Sequence, residues 1–431
     1  MTAYRTAYVN ARLLDPASGL DTFGGMMTEQ GLITDLGPHV SAAAVGADVP
    51  VVDCNGLCLA PGLVDMRVSI GEPGYEYKET IGSVGRAAVA GGVTSIAVLP
   101  GADPVIDDVA GLEFIARRAR EEKLVKVYAY AAATRELRGQ ELTDYGLLGA
   151  AGAVAFTDGQ QAVADALIMR RALAYARTFN HVLVQHPEEP RLAQGGSMNE
   201  SEVSTRLGLT GIPREAETMM IERDLRLVEL TGARYHAAHI STAESVRLIR
   251  LAKEDRLPVT ADTAPHYFCL TEQDIGDYRT FAKVSPPLRD EADRQAVADG
   301  VASGIIDCIA SDHLPQAVDN KRLPFAQAEF GMVGLETLLP LSLELVEKGQ
   351  MSLIDMLGSL TAHPADILGL PAGRLAKGAA ADLVLFDPTK RWKIDSELYR
   401  SKSKNAPFDG RPVSGKVMRT VVDGRTVYAA N

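Results

Sequence analysis

Between residues 60 and 365 the chain alternates short apolar runs with longer amphipathic stretches, and this alternation narrows the fold more than any other feature. The apolar runs fall around Thr94–Leu99, Lys126–Ala131, Ala153–Phe156, His181–Gln185, Arg234–His239, Pro258–Ala261 and Asp307–Ala310. Each is too short for a helix and reads as a buried strand. Stretches with helical spacing, such as Val109–Glu121 and Ala162–Arg177, separate many of them. Strands that alternate with helices form parallel sheets, because a helix is the usual return path between parallel neighbours. Roughly seven or eight such units in about 300 residues predict a (β/α)8 barrel.

The two ends differ from the middle. Residues 4–13 read as a strand, a glycine-rich stretch runs from Gly24 to Gly37, and Val51-Val52-Asp53 follows Pro50. Near the other end, Ala381–Phe386 reads as a buried strand stopping at Asp387-Pro388. Val417–Val422 reads as another, and Asp423-Gly424-Arg425 as a hairpin turn. Both ends are therefore expected to be β-rich and poor in helix.

Composition excludes several classes of partner and setting. The chain is 46% hydrophobic and 23% charged, which is incompatible with disorder. Its 56 acidic residues outnumber 44 basic ones, giving a net charge of -12. That balance argues against nucleic acid or an anionic membrane as the main partner. No apolar run approaches the length of a membrane span and the N-terminal residues lack a secretory pattern, so a cytoplasmic location is expected. Cys54, Cys58, Cys269 and Cys308 make no CxxC pair and are expected to be buried free thiols.

In barrels of this kind the chemistry sits at the C-terminal ends of the strands. Those positions here hold Asp65-Met66-Arg67-Val68-Ser69, Asp158, His186, His239 and Ser311-Asp312-His313. Each offers a residue type able to ligate a metal. With only eight histidines in the chain, their placement at strand ends is informative.

These residues carry a family resemblance. Pro61-Gly62-Leu63-Val64-Asp65 and Glu72-Pro73-Gly74-Tyr75-Glu76-Tyr77-Lys78-Glu79-Thr80 resemble the signature of dihydroorotases, in the amidohydrolase superfamily. The likeness continues through Met198-Asn199-Glu200, Gly208–Pro213, His239–Thr242, Pro286–Arg289 and Gly334–Pro340, and ends at Asn405–Gly410. It implies a metal-bearing (β/α)8 barrel at 61–365. It also implies a composite β-sandwich domain, built from 1–60 and 366–431. Members interconvert N-carbamoyl-L-aspartate and L-dihydroorotate in pyrimidine biosynthesis. In their chemistry a hydroxide between two zinc ions attacks a ring amide, while an Asp of the last strand shuttles the proton.

Set against that pattern, this chain is altered where the chemistry is done. The first strand of the family offers His-x-His, two imidazoles on one face; here the positions are Arg67 and Ser69. The substrate-gripping Arg is Gly71, and the substrate-binding Asn after the second strand is Gly101. A further Asn is Ser285, and a His of the last motif is Gln316. By resemblance, Asp158 matches the bridging carboxylate, His186 and His239 the ligands of the second metal, and Asp312 the proton shuttle. A single three-ligand site of Asp158, His186 and His239 is one expectation, with zinc at one ion per chain at most, or none. A pair of hydrogen-bonded core imidazoles is the other.

Arg67 bears most on the outcome. A guanidinium is permanently charged and cannot ligate a metal. Placed between Asp158 and Asp312, it is expected to offer forked hydrogen bonds to a carboxylate and to supply the positive charge a metal would bring. His313 and His266 are expected to be supporting or structural, and His236, His181, His39 and His363 to be surface or packing residues. Three functions stay open: a catalytically impaired subunit supporting aspartate carbamoyltransferase, an active dihydroorotase, and a mono-metal hydrolase of another cyclic amide. A homo-oligomer is expected in each case. Joint loss of metal ligands and substrate-holding residues favours the first, since it removes both rate and binding.

Overall fold

The computed structural model describes residues 5–430. Eight parallel strands run in sequence order: Leu63–Val68, Val93–Val98, Lys126–Ala131, Ala153–Phe156, Val182–Gln185, Arg234–Ala237, Val259–Thr263 and Cys308–Ile309. The ring is drawn shut at the last-to-first junction, where Val68 bridges His313 in parallel and the Ser69 amide donates to the His313 carbonyl at 2.8 Å. The result is the expected (β/α)8 barrel.

Period-two alternation sorts the strand side chains between two cores. Val64, Met66, Ala97, Tyr130, Ala155, Val184, Cys308 and Ala310 fill the barrel interior. Residues one step away, such as Leu63, Ile96, Val98, Ala131 and Leu183, pack outward against the helices. Ile367 and Leu368, in helix Ala362–Leu368, join the interior cluster. The Arg234 guanidinium, at the first residue of its strand, donates to the Ile367 carbonyl at 2.8 Å. This helix therefore closes the N-terminal end and leaves the C-terminal end as the open mouth.

The helices start where local chemistry permits. Asp108, Asp165, Thr242 and Asp290 cap the helices that begin at Val109, Ala166, Ala243 and Glu291, each accepting amide protons of the first turn. Helix Ala166–Thr178 begins four residues later than its periodicity suggests, because Asp165 sets the cap.

A second sheet joins the chain ends. Strands Arg5–Asp15, Leu20–Glu29, Leu32–Gly37, Val51–Asp53 and Cys58–Pro61 meet Leu383–Lys393, Pro412–Val422 and Arg425–Ala429. The junction is antiparallel, with Leu383 opposite Pro61 and Phe386 opposite Cys58. Asp423 and Gly424 form the two-residue hairpin, both at positive φ as a type I′ turn requires. The strand expected to stop at Asp387-Pro388 instead runs on to Lys393. A register shift between Asp387 and Arg391 absorbs the proline, and the Asp387 carboxylate accepts from the Thr389 and Lys390 amides. All four cysteines are free; three are buried, and Cys269 is half-buried. Among the described residues, no helix is long and apolar enough to cross a membrane.

Candidate active site at the barrel mouth

Arg67 sits near the end of the first barrel strand and is 1% exposed. Its Nε donates to Asp312 Oδ1 at 2.9 Å, and its Nη2 donates to the Gly159 carbonyl at 3.2 Å. The expected fork to a carboxylate is thus a single contact, with the second arm on backbone. Nη1 has no partner.

From this ion pair a hydrogen-bonded chain crosses the mouth. Asp312 Oδ2 meets His239 Nδ1 at 3.1 Å, and His239 Nε2 meets His186 Nδ1 at 2.7 Å. His186 Nε2 lies 3.7 Å from Glu188 Oε1, which accepts from the Ser285 hydroxyl at 3.1 Å. His239 and Asp312 adopt positive φ, 37° and 48°. Such backbone costs about 1–3 kcal/mol each and persists where surrounding contacts dictate it. Here the Asp262 carboxylate accepts the His239 amide at 2.7 Å and fixes the turn.

Asp158 stands apart from this chain. Its two oxygens accept the Thr134 amide at 2.8 Å and the Thr134 hydroxyl at 2.5 Å. Among the described residues, no three His, Cys, Asp or Glu side chains converge into a group able to hold a metal. Asp158, His186 and His239 are accordingly not gathered into a ligand set. The two imidazoles bond to each other, and the neighbouring space holds a guanidinium, a poor companion for a dication. This arrangement does not fit a binuclear centre.

The electrostatics follow from burial and from Arg67. Burial pushes the Asp158 and Asp65 carboxyls up to about 6. Burial, with help from Arg67, pushes His239 down to about 4. Burial also takes His266 to about 4; its Nε2 lies 3.9 Å from Asp312. Asp312 behaves oppositely: burial would raise it, but the His239 and Arg67 contacts hold it far below the usual carboxylate range.

Gly71 and Gly101, matched by resemblance to substrate-holding positions, differ in kind. A Cβ on Gly71 would lie 2.1 Å from the Tyr75 carbonyl oxygen and 2.6 Å from that of Glu79. The 71–79 loop, closed by the Tyr75 amide on the Gly71 carbonyl at 2.5 Å, therefore fills the direction a side chain would take. At Gly101 a Cβ would meet nothing within 4 Å. Ser69, Gly71, Lys78, Gly101, Asp158 and Gln160 share a cleft of about 290 Å³. Gln316 has turned to structure, its side-chain amide donating to the Phe330 carbonyl at 2.8 Å.

Sequence reasoning missed Glu188 and Thr134. Glu188 lies two residues beyond His186, and that proximity to a strand-end histidine was the available signal. His186 and Ser285 hold its carboxyl below the ordinary value, against the upward pull of burial. The remaining histidines behave as expected: His236 is a packing residue bonded to Thr260 and Asp262, and His313 lies 3.6 Å from buried Glu79.

Comparison with known proteins agrees with this picture of the fold. A family described as Dihydro-orotase-like matches residues 56–245. The chain is 47% identical over 431 residues to a dihydroorotase of Anaplasma phagocytophilum, covering 99% of this chain and 96% of that protein. It is 45% identical over 417 residues to a dihydroorotase of Syntrophus aciditrophicus, covering 97% of each. The L-hydantoinase of Arthrobacter aurescens superposes with a TM-score of 0.88 at 24% identity, over 98% of this chain and 96% of that one, and so shares the fold. On the strength of its sequence over almost its whole length, the chain belongs to the dihydroorotase family.

Proposed function

We propose that this chain is a catalytically impaired dihydroorotase-family subunit that acts through its scaffold, with aspartate carbamoyltransferase as the partner it supports. The observation that carries the reading is the buried Arg67–Asp312 ion pair at the barrel mouth. Residue 67 corresponds by resemblance to a ligand of the family's first metal and Asp312 to its proton shuttle, so a buried cation at 67 paired with Asp312 supports the reading. The filled space beside Gly71 supports the same reading, because it leaves no room for a substrate-gripping side chain there. On this reading zinc is held at one ion per chain at most, and the chain forms a homo-oligomer. Its partner contact buries more than about 1,000 Å² in total.

The name shared by the 44–47% identical relatives favours a second reading, an active zinc-dependent dihydroorotase. Co-purification with aspartate carbamoyltransferase from the same cell, repeated with Asp312→Ala, separates the two. Survival of the complex and of transcarbamoylase activity in the variant supports the scaffold. Failure to associate at micromolar concentration, with an amidohydrolase activity lost in Asp312→Ala, supports the enzyme.

A further inference from the structure

Three neighbouring helices on the outside of the barrel, Tyr145–Ala150, Ala166–Thr178 and Glu215–Thr231, share a surface that is both apolar and divided in charge. We propose that two copies of this chain meet on that surface about a two-fold axis. The inference rests on the homo-oligomer in the reading above and supplies its interface; it does not depend on whether the barrel mouth is catalytic.

Leu147, Leu167, Phe179, Met219 and Leu230 are each between 44% and 63% exposed. They are five of the sixteen large apolar side chains exposed among the described residues, on helices that hold less than a tenth of the chain. Single exposed apolar residues are ordinary, whereas a cluster on one continuous face marks a contact surface. Direct contacts make this face continuous. Tyr175 of the second helix stacks on Tyr145 of the first, with ring centroids 4.9 Å apart, and its hydroxyl donates to the Asp144 cap at 3.2 Å. The Phe179 ring lies over the first helix, 2.8 Å from where a Cβ on Gly146 would stand. On the other side, Arg177 Nη1 donates to the Thr231 carbonyl at 2.8 Å and Arg223 Nη2 to the Val163 carbonyl at 2.8 Å.

The size suits a dimer. Helices of 13 and 17 residues are about 20 and 25 Å long and stand about 8–10 Å from their neighbours. With the short first helix they outline roughly 500 Å², and side-chain relief raises the accessible area towards the roughly 800 Å² per partner of a standard interface.

Charge selects a second copy as the occupant. Helix Ala166–Thr178 bears Arg170, Arg171 and Arg177 and no acidic residue. Helix Glu215–Thr231 bears Glu215, Glu222 and Glu229, which recur every seven residues and so form one exposed stripe. Arg223, through its bond to Val163, marks the side of this helix next to the arginines. Met219 and Leu230 follow that side at helical spacing, four residues before Arg223 and seven after it. The face therefore runs from basic through apolar to acidic. Among the described residues Arg170, Arg171, Glu215 and Glu222 are in no ion pair, and Arg226 between the stripes is drawn to Glu229 at 3.8 Å. A two-fold axis through the apolar strip lays the arginines of each copy on the glutamates of the other. A uniformly acidic or basic partner would match only half of the face.

Sedimentation of the full-length protein at about 10 µM reads the assembly. The wild type is expected to hold an even number of chains, and Met219→Glu with Leu230→Glu to halve that number. Both side chains are exposed, so the variant should keep the wild-type circular dichroism. Arg170→Glu with Arg171→Glu, and separately Glu222→Arg with Glu229→Arg, should each weaken association by about tenfold or more. An equal mixture of these two charge variants should associate like the wild type, because each opposes the other's altered helix. A monomeric wild type overturns both the homo-oligomer and this face. An assembly that survives Met219→Glu with Leu230→Glu, or a charge-variant mixture that stays dissociated, overturns this face alone. Unchanged mass with loss of aspartate carbamoyltransferase co-purification gives the face to that partner and overturns self-association.

Discussion

Replacing Arg67 by Met tests the energetic role assigned to the guanidinium. The side chain is 1% exposed, and its Nε–Oδ1 contact with Asp312 is 2.9 Å. Removing one partner of such a pair leaves a buried, uncompensated carboxylate, at a cost of about 3–5 kcal/mol. Unfolding entropy of about 2.1 cal/mol/K per residue gives roughly 0.9 kcal/mol/K for 431 residues, so the melting temperature should fall by about 3–6 °C. Asp312→Leu alone should cost a similar amount by stranding the cation. The double variant Arg67→Met, Asp312→Leu removes both charges and should recover most of the loss, since apolar replacements of buried pairs are often neutral. Calorimetry or near-UV circular dichroism of the four proteins reads the cycle. Melting of Arg67→Met within about 1 °C of the wild type, or single-variant losses that add in the double variant, would refute the reasoning.

Gly71→Ala should destabilise by at least about 1–3 kcal/mol, because its Cβ meets the Tyr75 and Glu79 carbonyl oxygens, whereas Gly101→Ala should be tolerated within about 0.5 kcal/mol; urea melts of both check the contrast. Asp158, raised from 3.8 to about 6, holds its proton more tightly folded than unfolded. Its contribution therefore favours folding at low pH and is lost as pH rises from about 4 to about 6, by about 3 kcal/mol at most; Asp158→Asn should flatten that part of the stability–pH curve, and an unchanged slope would count against it. Elemental analysis of protein dialysed against excess zinc should find no more than one tightly held ion per chain, and two would overturn the reading of the first-metal position.

The barrel was legible because its strands and helices differ in hydrophobic period, and the parallel order follows from their alternation. Strand ends were less so. Arg234–His239 reads as one extended run, but the structure stops it at Ala237, and the positive φ at His239 has no sequence marker. The Asp387-Pro388 pair reads as a stop because a bulge that accommodates proline depends on the partner strand. The mouth residues were found through strand-end position and resemblance. Their connections were not, because they depend on side-chain direction: Arg67 reaches Gly159 instead of Asp158, and Asp158 turns to Thr134. That the 71–79 loop fills the space beside Gly71 likewise depends on a backbone path that no residue type announces.

The most direct measurement of impairment is the turnover of L-dihydroorotate by the purified chain, alone, with zinc added, and with aspartate carbamoyltransferase present. Loss of one charged contact to a transition state costs about 3 kcal/mol, roughly a hundredfold. On the proposed reading, the change of a metal-ligand position to Arg67 and of two substrate-holding positions to Gly71 and Gly101 all act in that direction. The account predicts turnover absent, or several orders of magnitude below that of ordinary enzymes, under all three conditions. A turnover number of about 1–1000 per second under any of them would contradict it.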